Sequence, residues 1–296
     1  MISLARKRKL LDTQNSLLKL FNKYFQVIPA DTPEKLRECY RLRYEVYCKE
    51  GIIPGFNPDH YPEGLEYDQY DEHSAHSLLI HKPMERVAGT VRMILPVLSK
   101  HEAKFPIEEH AGSAFYENII SFEKLPRTHL GEISRLILSP DFRARKGENW
   151  QPYGVAKNPK YSLQQNERRQ SNIFRQTPGC SGVPRRTFPH AVLGLFVAIV
   201  RMSFEHNLTY WYGGMEPACA RFLRSFGINF TPISPIVEYY GPCKSYIGYI
   251  PDIMENIYRT NPQIWTLLTN NGTLFSAPEV TCDHLDASLS DREGED

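Results

Sequence analysis

The sequence has little that would staple it, span a bilayer or give it a dominant charge. Its six cysteines, Cys39, Cys48, Cys180, Cys219, Cys243 and Cys282, form no CxxC pair, which excludes a zinc knuckle or redox couple built on that motif. With no apolar signal-peptide core at the start of the chain, they read as free thiols in a reducing cytoplasm. The longest apolar stretch, Ala191 to Val200, is far short of the roughly 18 residues of a membrane span. Charge nearly cancels, with 35 basic and 34 acidic residues for a net +1, so whole-molecule attraction to nucleic acid is excluded. What is present is ordinary for a globular chain of 296 residues: 41% hydrophobic and 23% charged, enough for a sizeable core.

Charge is unevenly distributed. The first 25 residues hold Arg6, Lys7, Arg8, Lys9, Lys19 and Lys23 against Asp12, with Leu10, Leu17, Leu18, Phe21, Tyr24 and Phe25 near helical spacing. A basic amphipathic leader helix over 1–24 follows, with two readings: packing on the domain, or peripheral contact with an anionic inner-membrane face. Phe25 to Ile28 reads as a strand, and Asp31-Thr-Pro-Glu34 as the capped start of a helix running to about Tyr47. Strands are expected at Ala75 to His81, Arg86 to Leu95 and Glu132 to Leu138, with a helical stretch before the last. Positions 145–188 carry nine basic and two acidic residues with four prolines and read as a flexible basic insertion. Beyond it come a helix from Ala191 to Glu205, a strand from Thr209 to Tyr212, a helix from Pro217 to Gly227 and tyrosine-rich strands between Ile233 and Ile250. An acidic tail over 266–296 reads as disordered. The order predicts one α/β domain over 25–265 with a mixed sheet.

Four constellations concentrate charge where a plain core would be apolar. Arg43 and Tyr47, four apart, share a helix face. Glu66, Asp68 and Asp71 fall within six positions, followed by His73 and His76. Arg92 interrupts the apolar strand Gly89 to Leu95 and needs an anion if it faces inward. In Glu132-Ile-Ser-Arg135, strict alternation puts Glu132 and Ser134 on one strand face and Arg135 on the other.

The order Arg-x-x-x-aromatic, Glu-x-Asp-x-x-Asp, Gly-x-x-Arg, Glu-x-Ser-Arg resembles the acyl-homoserine-lactone autoinducer synthases of the GNAT acyltransferase superfamily. It resembles more closely the acyltransferases associated with PEP-CTERM/exosortase systems, relatives of the N-acyl amino acid synthases, through Phe25 to Pro29, Glu66 to His76 and Gly227 onward. That resemblance implies a three-layer α/β/α fold with a central mixed, splayed sheet, the splayed pair being Glu132 to Leu138 and Thr209 to Tyr212. It implies Glu132 as general base with Asp68 and Asp71 as further catalytic residues, and Arg43, Arg92, Ser134 and Arg135 as substrate-binding residues. The autoinducer synthases carry a tryptophan after the first helix, whereas Gly51 to Gly55 has none, which weighs against S-adenosylmethionine as acceptor.

The GNAT coenzyme A loop is degraded here to Arg143-Ala-Arg-Lys-Gly147. Arg143, Arg145 and Lys146, with the basic insertion, suit the acidic acyl carrier protein that would present the acyl group. The implied activity is N-acyl transfer of a long-chain acyl group from an acyl-carrier-protein or coenzyme A thioester to an amino acid-like amine. The donor is a co-substrate, with no permanently bound cofactor, no metal and no nucleic acid. The other readings are an autoinducer synthase using S-adenosylmethionine, a catalytically silent acyl or amino-acid sensor of the same fold, and a nucleophilic Cys219 served by His190 or His206.

Overall fold

A computed structural model describes residues 17–51, 53, 55–97, 103–119, 125–143 and 190–278. Thr32 caps helix α2 (Pro33–Tyr44), accepting from Lys35 N–H, with Pro33 at the first turn where its missing donor costs nothing. The helix then widens into a π-turn, Glu45–Lys49, that buries Val46, Tyr47 and Cys48. Before it, residues 17–24 form helix α1, and strand β1 runs Phe25–Pro29.

Among the described residues the sheet has eight strands. β2 (Ser74–His81) pairs with β1 and with β3 (Arg86–Ile94), and β3 pairs with β4 (Leu130–Leu138), all antiparallel. β4 then pairs in parallel with β5 (Tyr210–Met215), which pairs antiparallel with β8 (Pro242–Tyr249); the short β6 (Thr231–Pro232) and β7 (Val237–Glu238) also pair with β8. The remaining helices are α3 (Pro106–Ala111), α4 (His190–Glu205), α5 (Pro217–Arg224), α6 (Ile250–Thr260) and α7 (Pro262–Leu268).

The helices form two layers. α4, apolar on all sides and buried throughout most of its length, covers the centre of one sheet face against β1 to β4, with α7 beside it. Gly194 allows that approach: a Cβ there would sit 2.6 Å from Leu79 Cδ1. Leu17 and Phe21 of α1, four apart, enter the same core. α2 and α3 lie on the opposite face, where Ile94, Phe105, Ile107, Phe115 and Tyr212 make a second apolar cluster. The expected GNAT-like three-layer α/β fold with a mixed sheet is therefore present.

The β4–β5 pairing is also splayed. Its register runs Leu130↔Tyr210, Gly131↔Trp211, Glu132↔Tyr212 and Ile133↔Gly213, then stops, while β4 continues to Leu138 and β5 to Met215. The parting starts next to Glu132.

Of the two readings of the leader, residues 17–24 take the first, packing their apolar face on the core; residues 1–16 lie outside the described residues, and none of the described helices is long and apolar enough to cross a membrane. Two expectations change. The fold does not end at 265: Leu267 and Leu268 are buried, and Leu274 and Phe275 pack on the main core. α6 and α7 went unread, although Ile250, Ile253, Met254 and Ile257 bury one helical face. The insertion expected at 145–188 and residues 279–296 of the expected tail lie outside the described residues.

Candidate active site

The charged residues singled out in the sequence converge on the α2 face of the sheet. Arg43, in the last turn of α2, donates from Nε to Glu66 and from Nη1 and Nη2 to the two oxygens of Asp71, at 2.7 and 3.0 Å. Arg92 on β3 donates from Nε to Ser134 Oγ at 2.8 Å, from Nη1 to Asp68 at 2.6 Å and Asp71 at 2.9 Å, and from Nη2 to Asp68 at 3.1 Å. Arg135 on β4 donates from Nη2 to Glu66 Oε1 at 2.8 Å and Asp68 Oδ2 at 3.0 Å. Three guanidinium groups and three carboxylates thus interlock at zero net charge, the arrangement that makes burial of ions tolerable.

Local backbone structure sets this geometry. Asp68 and Asp71 form a capping box around the 3-10 turn Gln69–His73: Asp68 accepts from Tyr70 N–H and Asp71 from Asp68 N–H. Burial pushes the Asp71 carboxyl up, but the hydrogen bonds of Arg43 and the charges of Arg43 and Arg92 outweigh it and hold it well below the usual range. His76 on β2 has its Nε2 3.5 Å from Asp71 Oδ1. Burial, with Arg43 and Arg92 nearby, depresses its pKa to about 4, so it is neutral at pH 7.

Arg135 does not take the face that strict alternation assigns it. A bulge puts two β4 residues opposite one on β3, between the pairs Thr90↔Ile137 and Arg92↔Ser134, and Arg135 has a φ of 51°. The extra residue returns Arg135 to the face of Glu132 and Ser134. There its guanidinium lies over the rings of Tyr47 and Phe56, 5.5 and 5.2 Å from their centroids.

Glu132 stands apart from the interlocked group. It is 3% exposed, and its Oε2 accepts from the Ile107 N–H of α3 at 3.0 Å. Burial raises its pKa to about 8; the Ile107 amide and the charges of Arg92 and Arg135 only partly oppose this. A carboxyl tuned this way can exchange a proton near neutral pH, as a general base must. Tyr212, its register partner on β5, shares its sheet face.

An open cleft of about 610 Å³ on this side of the sheet is lined by Tyr40, Tyr67, Asp68, Asp71, Glu72 and His76 among others. Asp68 and Asp71 lie between that cleft and the arginines, and Glu132 is not on its wall. Across the other side of Arg135 runs a chain of rings: Tyr47 to Phe56 at 4.8 Å, Phe56 to Tyr240 at 4.9 Å, Tyr240 to Tyr239 at 4.7 Å, and Tyr239 to His110 at 4.2 Å. Tyr239 is close enough to Glu132 that, after burial, the charge of Glu132 contributes to raising its phenol pKa.

Two sequence expectations do not survive. Arg143 is buried, donating from Nε to Leu138 O at 2.9 Å and from Nη1 to Glu50 at 2.6 Å, so it braces the end of β4 instead of facing an acyl carrier. Arg145 and Lys146 lie outside the described residues. The Cys219 thiol is pushed up to about 12 by burial and by Glu216, the reverse of an activated nucleophile. Sequence reasoning missed Ile107, Glu108, Arg127, Tyr212 and Tyr239. For Glu108 a signal existed, since Phe-Pro-Ile-Glu places an acid in the first turn after a proline. A backbone amide such as that of Ile107 leaves no such mark.

Residues 42–150, which include every residue of the interlocked group and Glu132, match the family described as Acetyltransferase (GNAT) domain. No curated protein sequence matches the chain. Among solved structures, the chain is similar to FeeM, an N-acyl amino acid synthase from uncultured soil microbes, at 12% identity and a TM-score of 0.48, over 78% of this chain and 93% of that one. It is similar to the acyl-homoserine-lactone synthase LasI at 12% identity and 0.49, over 80% and 96%. It is also similar to BjaI, a CoA-dependent acyl-homoserine lactone synthase solved with SAM and isopentyl-CoA, at 15% identity and 0.46, over 88% and 95%.

Proposed function

We propose that this protein is an N-acyltransferase that moves a fatty acyl group from an acyl-carrier-protein or coenzyme A thioester to the amine of an amino acid-like acceptor. The observation that carries this reading is the buried Glu132 carboxyl beside the point where β4 and β5 part. The parted strands leave Ser134 to Leu138 without a β5 partner, an opening suited to a pantetheine arm and to backbone donors for the thioester oxygen.

In the step proposed, the Glu132 carboxylate takes a proton from the acceptor's ammonium, directly or through water, and the neutral amine nitrogen so formed attacks the thioester carbonyl carbon to make the C–N bond. The C–S bond breaks to release the thiolate, which takes up the second proton lost by the nitrogen, and Glu132 returns its proton to solvent. No covalent enzyme intermediate is needed. Asp68, with a quarter of its side chain exposed, is positioned to receive the acceptor's ammonium, and Asp71 holds Asp68 in place. Arg135 is the arginine best suited to the acceptor carboxylate, because Arg43 and Arg92 commit all three of their nitrogens to neighbours. Ser134 orients Arg92. Long-chain specificity and a place in PEP-CTERM/exosortase systems rest on the sequence resemblance alone.

The test is mass spectrometry of lipid extracts from cells expressing the wild type or Glu132→Gln, searched for fatty acyl amides. A species made only by the wild type supports the reading, and its head group identifies the acceptor; an acyl homoserine lactone would instead favour the S-adenosylmethionine reading. Equal product from both strains removes Glu132 from the mechanism. No product from either, with acyl-carrier binding retained, favours the silent sensor.

A further inference from the structure

Glu132 takes its hydrogen bond from an α3 amide, and α3 is itself held by a second charged pair that has no part in the step above. Glu108 accepts from Phe105 N–H at 2.9 Å, and its carboxylate receives a two-point contact from Arg127, Nη1 to Oε1 at 2.8 Å and Nη2 to Oε2 at 2.9 Å. Arg127 Nη2 also donates to Ala103 O at 2.8 Å, and its guanidinium lies over the Phe105 ring at 5.5 Å. Arg127 belongs to the turn Arg127–His129, which leads straight into β4. The fork therefore ties the entry of β4 to the first turn of α3, the same two elements that the Glu132–Ile107 hydrogen bond joins.

We propose that Glu108 and Arg127 are positioning residues for Glu132: their fork fixes the Ile107 N–H against Glu132 Oε2 and so sets how the carboxylate faces and how readily it takes a proton. This rests on the reading of Glu132 as general base and adds to it the device that tunes the base. An amide donating to a carboxylate favours the charged form. The other groups facing Glu132 are Arg92 on β3 and Arg135 on β4, which favour that form, and Glu108, which opposes it; the phenols of Tyr212 on β5, Tyr239 before β8 and Tyr70 on the 3-10 turn are near enough to feel its charge. Loosening the fork acts in one direction. It frees the Ile107 amide to move away and leaves the Glu108 charge less compensated, and both changes hold the proton on Glu132 more tightly.

A fork that merely anchored α3 would behave differently, lowering activity by the same factor at every pH. The deciding variant is Arg127→Lys, which keeps the charge and loses the two-point geometry. Two readouts are used on the full chain: the pH profile of kcat/KM for acyl transfer, and a carbon-13 NMR titration of glutamate-labelled protein in which the Glu132 signal is assigned by its loss in Glu132→Gln. The expected result is an upward move of the Glu132 midpoint by about one unit, worth about tenfold in the deprotonated fraction at pH 7. The kinetic limb should move with it, the activity deficit should close at high pH, and KM for the acceptor should change little. Arg127→Gln, which loses the two-point contact and also the charge that compensates Glu108, should shift the limb in the same direction and serves if Arg127→Lys does not fold. A Glu132 titration identical to the wild type in the folded variants overturns the positioning role, even with Glu132→Gln inactive. A shifted titration in a protein whose wild type transfers no acyl group would keep the positioning role and reject the acyltransferase reading.

Discussion

Arg135 meets Glu66 at 2.8 Å from a backbone held at a φ of 51°, a conformation that a residue with a Cβ adopts only at a cost. Glu66 has no solvent exposure, and its carboxyl is pushed up by burial but pulled down more strongly by Arg43 and Arg135. Arg135→Met would leave that buried charge with Arg43 alone, and removal of one partner from a buried pair costs about 3–5 kcal/mol. We expect urea unfolding to show a loss of this order. In the double variant with Glu66→Gln the combined loss should be smaller than the sum of the two single losses, because each change removes the other's penalty. Strict additivity would mean that Arg135 does not support Glu66 in solution.

The same bulge marks where the sequence stopped being legible. The β4 strand and all of its charged residues were readable, because Glu-x-Ser-Arg inside an apolar run demands partners for its charges. The face of Arg135 was not, since one inserted residue reverses every later side chain and no residue type announces it. Arg143 shows a related failure. A basic cluster reads as solvated surface, yet Glu50, 93 positions earlier, draws its first arginine inward. Local signals fared better: Thr32-Pro33 caps α2 as read, and Gly227 sits past α5 with a φ of 87°. The site itself was legible as a set of charges. What was not legible was the division of labour, with three arginines committed to carboxylates and Glu132 held separately by an amide.

Glu132 should also leave a signature in stability. Its folded pKa of about 8 lies above the ordinary glutamate value of 4.5, so between these limits the folded state holds a proton that the unfolded state has lost. Folding stability contributed by this group is therefore full below about pH 4.5 and is lost as pH rises toward 8, by about 1.4 kcal/mol per unit at most. Glutamine mimics the neutral carboxyl and has no such dependence. Glu132→Gln should match the wild type near pH 4.5 and exceed it progressively toward pH 8, a gap read from urea midpoints across the range. A gap that stays constant with pH would mean that burial does not raise this carboxyl.

Gly89 supplies a test of how β3 and β4 are held together above the bulge. It pairs with Leu138, and a Cβ at this position would lie 2.6 Å from the Ile137 carbonyl oxygen, with Leu138 Cδ2 at 3.1 Å and Leu195 Cδ2 at 3.2 Å. The nearest atom is backbone, so no side-chain rotation relieves it, and the strand pair must open or the α4 layer must lift. Gly89→Ala should therefore destabilise by about 1–3 kcal/mol, the range of overpacking in a dense core. Gly112→Ala is the control. It sits at the end of α3 with a φ of −59° and nothing closer than 3.9 Å, and should change stability by less than about 0.5 kcal/mol. The two effects should also separate in function: displacement of β4 at Gly89 disturbs the strand that carries Glu132 and Arg135, so acyl transfer should fall beyond what the loss of folded protein explains. If Gly89→Ala is as stable and as active as Gly112→Ala, the tight β3–β4 contact at Ile137 is not a feature of the folded protein.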